Sequence, residues 1–205
     1  MRLWTIQNEV VYQKFKDVGI LRADNSFICD DMICHYNWMV EQMKKRIGFP
    51  IIEKIKYPIW AWYQWQGIEH KRPDLRFSGH LNKGTKGMLL ELEVEPANVL
   101  LSDFDDFNSV LNYGYITDSE VEYDNFYNEL ESYGYCHYDL QSSNKGTDIL
   151  NQFKLRLYES WEKIFDLERK MDEGWSGKKE EQSIQATMWE VRWKQVVSIK
   201  HFIAK

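Results

Sequence analysis

Apolar residues recur with two different periods along the chain, and these periods predict its secondary structure. Near the start, residues 3–6 and 20–23 are short apolar runs typical of strands. Between them, residues 9–17 have the composition of a helix. Asn8 is a suitable residue to cap this helix, and Gly19 is placed to end it.

Two longer stretches have the spacing of amphipathic helices. Apolar residues over 32–47 repeat three and four positions apart, directly after Asp30 and Asp31, and Gly48 then interrupts the pattern. The same spacing continues over residues 147–171, where the first residue is a threonine that can cap the helix. This second stretch predicts the longest helix of the chain.

Four further segments have the alternation or the β-branched and aromatic composition of strands: residues 57–66, 88–94, 183–189 and 196–202. Strands therefore stand at both ends of the chain, with the predicted helices in between. This order predicts an α+β fold in which the terminal strands share one sheet. A length of 205 residues fits a single domain over residues 1–205.

Charge is unevenly distributed along this chain of net charge −6. Residues 87–144 contain thirteen acidic residues and no lysine or arginine. The preceding stretch, residues 70–86, contains Asp74 and five basic residues: Lys71, Arg72, Arg76, Lys83 and Lys86. A short cationic loop in an anionic protein predicts a site for an anionic small ligand, whereas the net charge argues against nonspecific coating of nucleic acid.

The cationic loop has the chemistry of a phosphate site. Arginine offers a planar fork that matches phosphate oxygens, and neighbouring glycines let backbone N–H groups approach a ligand. We therefore consider Arg72, Arg76 and His80 as nucleotide contacts. The alternative is a solvated loop in which Arg72 or Arg76 pairs with a nearby carboxylate.

Aromatic residues make up 15% of the chain, and nine of them are tryptophan. Such rings form either a core or a surface on which a base or sugar stacks.

Cys29, Cys34 and Cys136 lack zinc spacing, so no metal is expected. On a helix, the adjacent side chains of Cys34 and His35 should diverge. No apolar run reaches 18 residues, which predicts a cytoplasmic protein without a membrane segment.

Five segments together resemble a bacterial family of about this length that is labelled only as a domain of unknown function. They are residues 3–7 (LWTIQ), 57–62 (YPIWAW), 72–76 (RPDLR), 101–104 (LSDF) and 184–190 (IQATMWE). The resemblance covers nearly the whole chain. It implies membership of that family and little about chemistry.

The order of elements also resembles the ADP-ribosyltransferase fold, including bacterial toxins that modify DNA or RNA. That resemblance implies a split sheet with N-terminal and C-terminal strands and NAD bound in a cleft. A first-strand residue would hold NAD, here Thr5, and Trp62 and Tyr63 would line the nicotinamide pocket. Glu190 would stabilise the positive charge that develops on the ribose, and Gln185 would orient the ribose or the acceptor.

The chain departs from that fold at two positions. Thr5 stands where the family has arginine or histidine, and the late Gln/Glu-x-Glu motif falls on residues 185–187, which lack its glutamate. Glu190 follows five residues after Gln185, and Glu91 is another candidate carboxylate. Two hypotheses stay open: a mono-ADP-ribosyltransferase acting on nucleic acid or protein in a toxin or phage-defence setting, and a noncatalytic nucleotide-binding or protein-interaction module. Glu190 could also simply pair with Arg192 or Lys194.

Overall fold

The computed structural model describes residues 1–23, 32–141 and 146–205, which form an α+β fold. Two compact units divide the chain between them: residues 1–101 with 183–205, and residues 102–182. No helix in the three described ranges is both long enough and apolar enough to span a membrane.

The first unit opens with β1 (Arg2–Asn8) and α1 (Glu9–Val18). The side-chain oxygen of Asn8 accepts the backbone N–H of Val11 at 2.8 Å, so this residue starts the helix as predicted. Gly19 ends it in the left-handed conformation (φ 78°), and its N–H bonds to the carbonyl of Phe15. Both predicted ends of α1 are confirmed.

Most of the remaining elements of the first unit follow the predicted order with different bounds, but the short strands at residues 100–103 and 191–192 were not predicted. The remaining elements are β2 (Ile20–Leu21), α2 (Ile33–Ile47), β3 (Ile59–Gln64), β4 (Lys86–Glu93), β6 (Ile184–Met188), β7 (Val191–Arg192) and β8 (Val196–Ile203). β5 (Leu100–Asp103) leads from the first unit into the second. Gly48 ends α2 as predicted. α2 begins at Ile33, close to the predicted start at residue 32, while Cys29, Asp30 and Asp31 lie outside the described residues.

Six strands form one sheet in the order β5-β6-β3-β1-β4-β8, and β2 and β7 form a separate pair. β1 pairs with β3 and β4, while β8 pairs with β4, and each of these pairs is antiparallel. The first and last strands therefore share one sheet, as the sequence predicts, with β4 between them.

One face of this sheet carries the core of the first unit. Leu3, Leu90 and Ala186 are buried there, and Tyr12 and Phe15 of α1 are buried in the same cluster. Alternation along each strand then directs the intervening side chains to the opposite face. That opposite face carries the aromatic and polar residues of interest.

The second unit is helical, with α3 (Phe104–Leu111), α4 (Glu120–Ser132), α5 (His137–Gln141), α6 (Asp148–Trp161) and α7 (Glu173–Ser176). Thr147 caps α6 as predicted, but the predicted end at residue 171 is wrong. The chain tightens into a 3₁₀ turn at Glu162–Phe165. The apolar spacing continues through this turn, so the pattern does not mark where the α-helix ends.

The two units differ sharply in charge. The second unit holds 19 of the 32 acidic residues and 8 of the 26 basic residues, a net charge of −11. The first unit therefore has a net charge of +5. The anionic character of the chain belongs to the helical unit, and the unit that contains the cationic loop is itself cationic.

Candidate functional site

A single row of five side chains crosses the polar face of the sheet in the first unit. The paired positions, in sheet order, are Gln185, Trp62, Trp4, Glu91 and Ser198. Residues directly opposite one another in antiparallel strands point to the same face. Folding therefore brings together five strands whose row residues are spread along the chain from Trp4 to Ser198.

Glu91 is a fixed and accessible carboxylate in this row. Ser198 donates a hydrogen bond of 2.7 Å to Glu91 Oε2, and Arg2 binds Oε1. The hydrogen bond from Ser198 is the main reason why the pKa of Glu91 is lowered, with Arg2 and the charge of Arg72 acting in the same direction. The side chain remains 23% exposed, so an ionised oxygen can reach a ligand.

Aromatic rings extend the row beyond Trp62. The ring centroid of Trp65 lies 4.6 Å from that of Trp62 and 5.0 Å from that of His80. Phe77 packs against both Trp65 and His80. The predicted contacts Trp62 and His80 thus belong to one aromatic cluster.

Two buried polar atoms beside this row have no hydrogen-bond partner among the described residues. They are the side-chain oxygen of Gln185 and the indole N–H of Trp65, an acceptor and a donor. Buried polar groups nearly always have a partner in the protein or in bound solvent or ligand. Because both atoms are buried, a polar ligand would have to displace the neighbouring rings to satisfy this unmatched donor and acceptor near Trp62.

The cationic loop forms a cavity of about 350 Å³ that is lined by Arg72, Arg76, Lys200 and the segment between the arginines. Lys200 lies two positions after Ser198 on β8 and so extends from the same face. Arg72 acts electrostatically on Glu91. These relationships connect the cavity with the row.

Asp74 organises the loop. Its carboxylate accepts two hydrogen bonds from the Arg76 Nε, at 3.0 and 2.9 Å, and one from Nη2 at 2.6 Å. The Arg76 guanidinium is the main cause that lowers the pKa of Asp74 to about 2. The backbone carbonyl of Asp74 accepts a hydrogen bond from His80 Nε2 at 2.9 Å. The alternative prediction of an internal ion pair therefore holds for Arg76.

Thr5 and Tyr63 do not join the row. Thr5 is 1% exposed, and its hydroxyl donates to the carbonyl of Trp60 at 2.8 Å. Tyr63 packs against the core cluster on the other face, with the Lys71 ammonium 5.5 Å from its ring centroid. Trp4, the neighbour of Thr5, supplies the first-strand side chain on the polar face.

Glu190 lies in a different environment. Arg22 Nη2 binds Oε2 at 2.8 Å and Arg192 Nη2 binds Oε1 at 3.0 Å, which confirms the predicted pairing with Arg192. Burial alone would raise the pKa of Glu190, but the two arginines outweigh it, so the pKa is lowered. Glu190 lines a cavity of about 430 Å³ with Phe49 and Trp189 that shares no lining residue with the arginine-loop cavity.

Sequence reasoning missed three residues of this site: Trp4, Ser198 and Lys200. Only the strand register brings Trp4 and Ser198 to Glu91 and Lys200 to the same face, and register is not readable from one sequence. The prediction that Cys34 and His35 diverge is wrong, because Cys34 Sγ lies 3.3 Å from His35 Nδ1. Within residues 1–23, 32–141 and 146–205, no group of three metal-binding side chains converges.

Comparison with known proteins gives a family and no activity. The family model described as a domain of unknown function (DUF3841) matches residues 2–197. No curated protein and no solved structure matches the chain. The match confirms the family of about 200 residues that the sequence suggests.

Proposed function

The chain belongs to the family described as a domain of unknown function (DUF3841), and we propose that it binds a nucleotide on the polar face of its six-stranded sheet. One observation carries this proposal. The unmatched oxygen of Gln185 and the unmatched N–H of Trp65 lie beside Trp62, on the face that also carries a cationic cavity. A nucleotide has the matching parts, which are a flat polar base and an anionic phosphate.

Different residues of the site would bind the ring and the phosphate of the nucleotide. Trp62 would stack on a ring, while Gln185 and Trp65 would satisfy its polar edge. Arg72 and Lys200 would bind phosphate, and Arg76 would contribute one side of a guanidinium that Asp74 already positions. NAD is the ligand that fits best among nucleotides, because it joins a second ring to a pyrophosphate.

Isothermal titration of the full chain with NAD, ADP-ribose, ATP and inorganic phosphate tests this proposal. We expect NAD and ADP-ribose to bind and inorganic phosphate alone to bind more weakly. Loss of the Trp62 ring in Trp62→Ala should weaken NAD binding by about tenfold. Equal affinity for all four compounds, or no binding by any of them, would overturn the proposal.

A second candidate function is the transfer of ADP-ribose from NAD, and the position of Glu91 favours it. In that reaction the bond between nicotinamide and the ribose C1′ breaks, and nicotinamide leaves with the electron pair. A nucleophile on a nucleic acid or protein acceptor then forms the new bond to C1′. Glu91 would stabilise the positive charge on the ribose, since it is ionised, oriented and in the row with Trp62 and Gln185.

Glu91 suits this role better than Glu190. Both carboxylates have both oxygens bound, Glu190 by two arginines and Glu91 by Arg2 and Ser198. Glu91 is the more accessible, 23% exposed against 9% for Glu190, and it lies on the same face as Trp62. Release of nicotinamide from NAD in the presence of cell lysate provides the measurement. Glu91→Gln should abolish release, and the matched variant Glu93→Gln should retain it because that exposed carboxylate bonds more weakly to Arg2.

The variant Glu190→Gln tests whether Glu91 or Glu190 is the reacting carboxylate. Release per folded molecule should survive this substitution if Glu91 is the reacting group. Loss of release in Glu190→Gln with full release in Glu91→Gln would reverse the assignment. Binding of NAD without release by the wild type would leave the first candidate, a binding module, as the function.

A further inference from the structure

A further cavity lies within the helical unit, and its lining residues differ in chemistry from those of the arginine-loop cavity. It has a volume of about 470 Å³, which is within the range of small-molecule sites. The lining residues come from α3 and the segment after it, from α4 and α5, and from α7. None of its described lining residues is lysine or arginine.

One wall of this cavity is a continuous strip of rings. The ring centroid of Tyr123 lies 5.3 Å from that of Trp175 and 4.5 Å from that of Tyr127. His137 extends the strip, 6.2 Å from Tyr127. Trp175 and Tyr123 are 40% and 39% exposed, so their faces are available for stacking.

The strip is held in place from behind. The hydroxyl of Tyr127 accepts the backbone N–H of Tyr115 at 3.2 Å. The ring of Tyr115 in turn stacks on Phe126, with centroids 3.7 Å apart and planes within 4°. The buried side of the wall is therefore braced by packing, and only its outer faces are open to a ligand.

The rest of the cavity is lined by neutral polar side chains: Asn108, Ser109, Asn112 and Thr117. Amides and hydroxyls supply both hydrogen-bond donors and acceptors. The one lining carboxylate, Asp106, is bound by Arg169 at 2.7 Å, and Arg169 also pairs with Asp118 at 3.0 Å. Arg169 therefore offsets the charge of Asp106, and no lysine or arginine among the described lining residues would pair with an anionic ligand.

From this arrangement we infer that the helical unit binds a neutral saccharide. A pyranose presents an apolar C–H face that stacks on an aromatic ring and a rim of hydroxyl groups that both donate and accept hydrogen bonds. One aromatic wall in a cavity that is also lined by amides and hydroxyls matches that ligand. This inference is independent of nucleotide binding by the first unit.

Saturation-transfer NMR on the full chain tests the inference with glucose, galactose, mannose and N-acetylglucosamine as probes. We expect transfer to at least one of these sugars and a change in tryptophan fluorescence at the same concentrations. Trp175→Ala and Tyr123→Ala should each weaken binding by about tenfold. Trp175→Phe should retain most of the affinity because it keeps a ring.

Tyr133→Ala is the matched control, since Tyr133 is an exposed tyrosine of the same unit that does not line the cavity. It should leave sugar binding unchanged. Circular dichroism and urea unfolding of each variant separate lost binding from lost folding. The inference is overturned if no sugar shows transfer, if binding survives both wall substitutions, or if adenosine or tetramethylammonium binds more tightly than every sugar.

Discussion

Ser198 donates a hydrogen bond of 2.7 Å to Glu91, a residue 107 positions earlier in the chain. This bond joins the last strand, β8, to β4 on the polar face of the sheet. It also fixes the one carboxylate of the row next to Trp4 and Arg2. The bond therefore links the register of the sheet to the chemistry of the site.

Removing the hydroxyl in Ser198→Ala should raise the pKa of Glu91 toward its ordinary value of 4.5, because this hydrogen bond is the largest cause of the lowered pKa. The carboxylate contacts stabilise the fold above pH 4.5, and this stabilisation is lost as pH falls through the lower pKa of the folded state. In the variant this loss should be smaller and complete at a higher pH, because the unfolded-state pKa is unchanged while the folded-state pKa is closer to it. NMR titration of the Glu91 carboxyl carbon measures the shift.

Ser198→Thr is the control, because it keeps a hydroxyl at the same position on the strand. Its Glu91 should titrate like that of the wild type. If nicotinamide release is observed, its acidic limb should move to higher pH in Ser198→Ala alone. An unchanged titration in Ser198→Ala would show that this bond does not set the pKa.

Local features of the fold were predictable because their causes are local. Asn8, Gly19 and Thr147 start or end helices through hydrogen bonds to residues within four positions. The terminal strands were also identified from composition alone. The end of α6 was not, because a 3₁₀ turn keeps the apolar residues on nearly the same side.

The site was only partly predictable because strand pairing decides it. Arg72 and His80 were identified from residue type, and Trp62 and Gln185 from the resemblance to the ADP-ribosyltransferase fold. These residues lie on or beside the polar face. Glu190 was chosen for its place in the sequence, and no local signal indicates that Arg22, 168 positions earlier, binds it. Ser198 and Lys200 become candidates only when the register of β8 against β4 is known.

The two arginines of the loop should contribute unequally to nucleotide binding. Arg76 is held by Asp74, whereas Arg72 lines the cavity and acts on Glu91. Arg72→Ala should weaken NAD binding by about tenfold or more, since a hydrogen bond between charged groups contributes about 1.5–3 kcal/mol. Arg76→Ala should have a smaller effect. Isothermal titration of both variants measures the difference.

Lys83→Ala provides the matched control for charge, because Lys83 is an exposed cation of the same loop outside the cavity lining. Its removal should change NAD affinity by less than the loss of Arg72 at physiological salt. Equal losses in Arg72→Ala and Lys83→Ala would mean that the loop attracts the ligand by net charge alone.

Gln185→Met should separate stability from binding. The side-chain oxygen of Gln185 is buried without a partner among the described residues, so replacing the amide by an apolar group of similar size removes a desolvation cost. The free energy of unfolding of the ligand-free variant should rise by about 1 kcal/mol. NAD affinity should fall, because the acceptor for the ligand is gone. Urea unfolding and titration of the same preparation provide both values.

A destabilised Gln185→Met variant with unchanged NAD affinity would contradict the assignment of Gln185 to the ligand. If Gln185→Met is less stable than the wild type and binds NAD equally well, the oxygen serves the fold and the ligand assignment fails. Gln182→Met, a substitution of the same type three positions earlier and before β6, controls for the change of side chain. It should leave NAD affinity unchanged.

Asp103 should give the protein a second pH dependence of opposite sign. Burial raises its pKa to about 6, although its side chain accepts the N–H of Asp106 at 2.9 Å as the cap of α3. The folded state therefore holds a proton that the unfolded state releases at lower pH, and stability falls as pH rises from about 4 to about 6.

Asp103→Asn keeps a cap without the charge. Its gain in the free energy of unfolding should be about 3 kcal/mol at pH 7 and much smaller at pH 4, since the pKa rises from 3.8 to about 6 and one pKa unit corresponds to about 1.4 kcal/mol. Urea unfolding at the two pH values measures it, and an equal gain at both would show that Asp103 is not the titrating group.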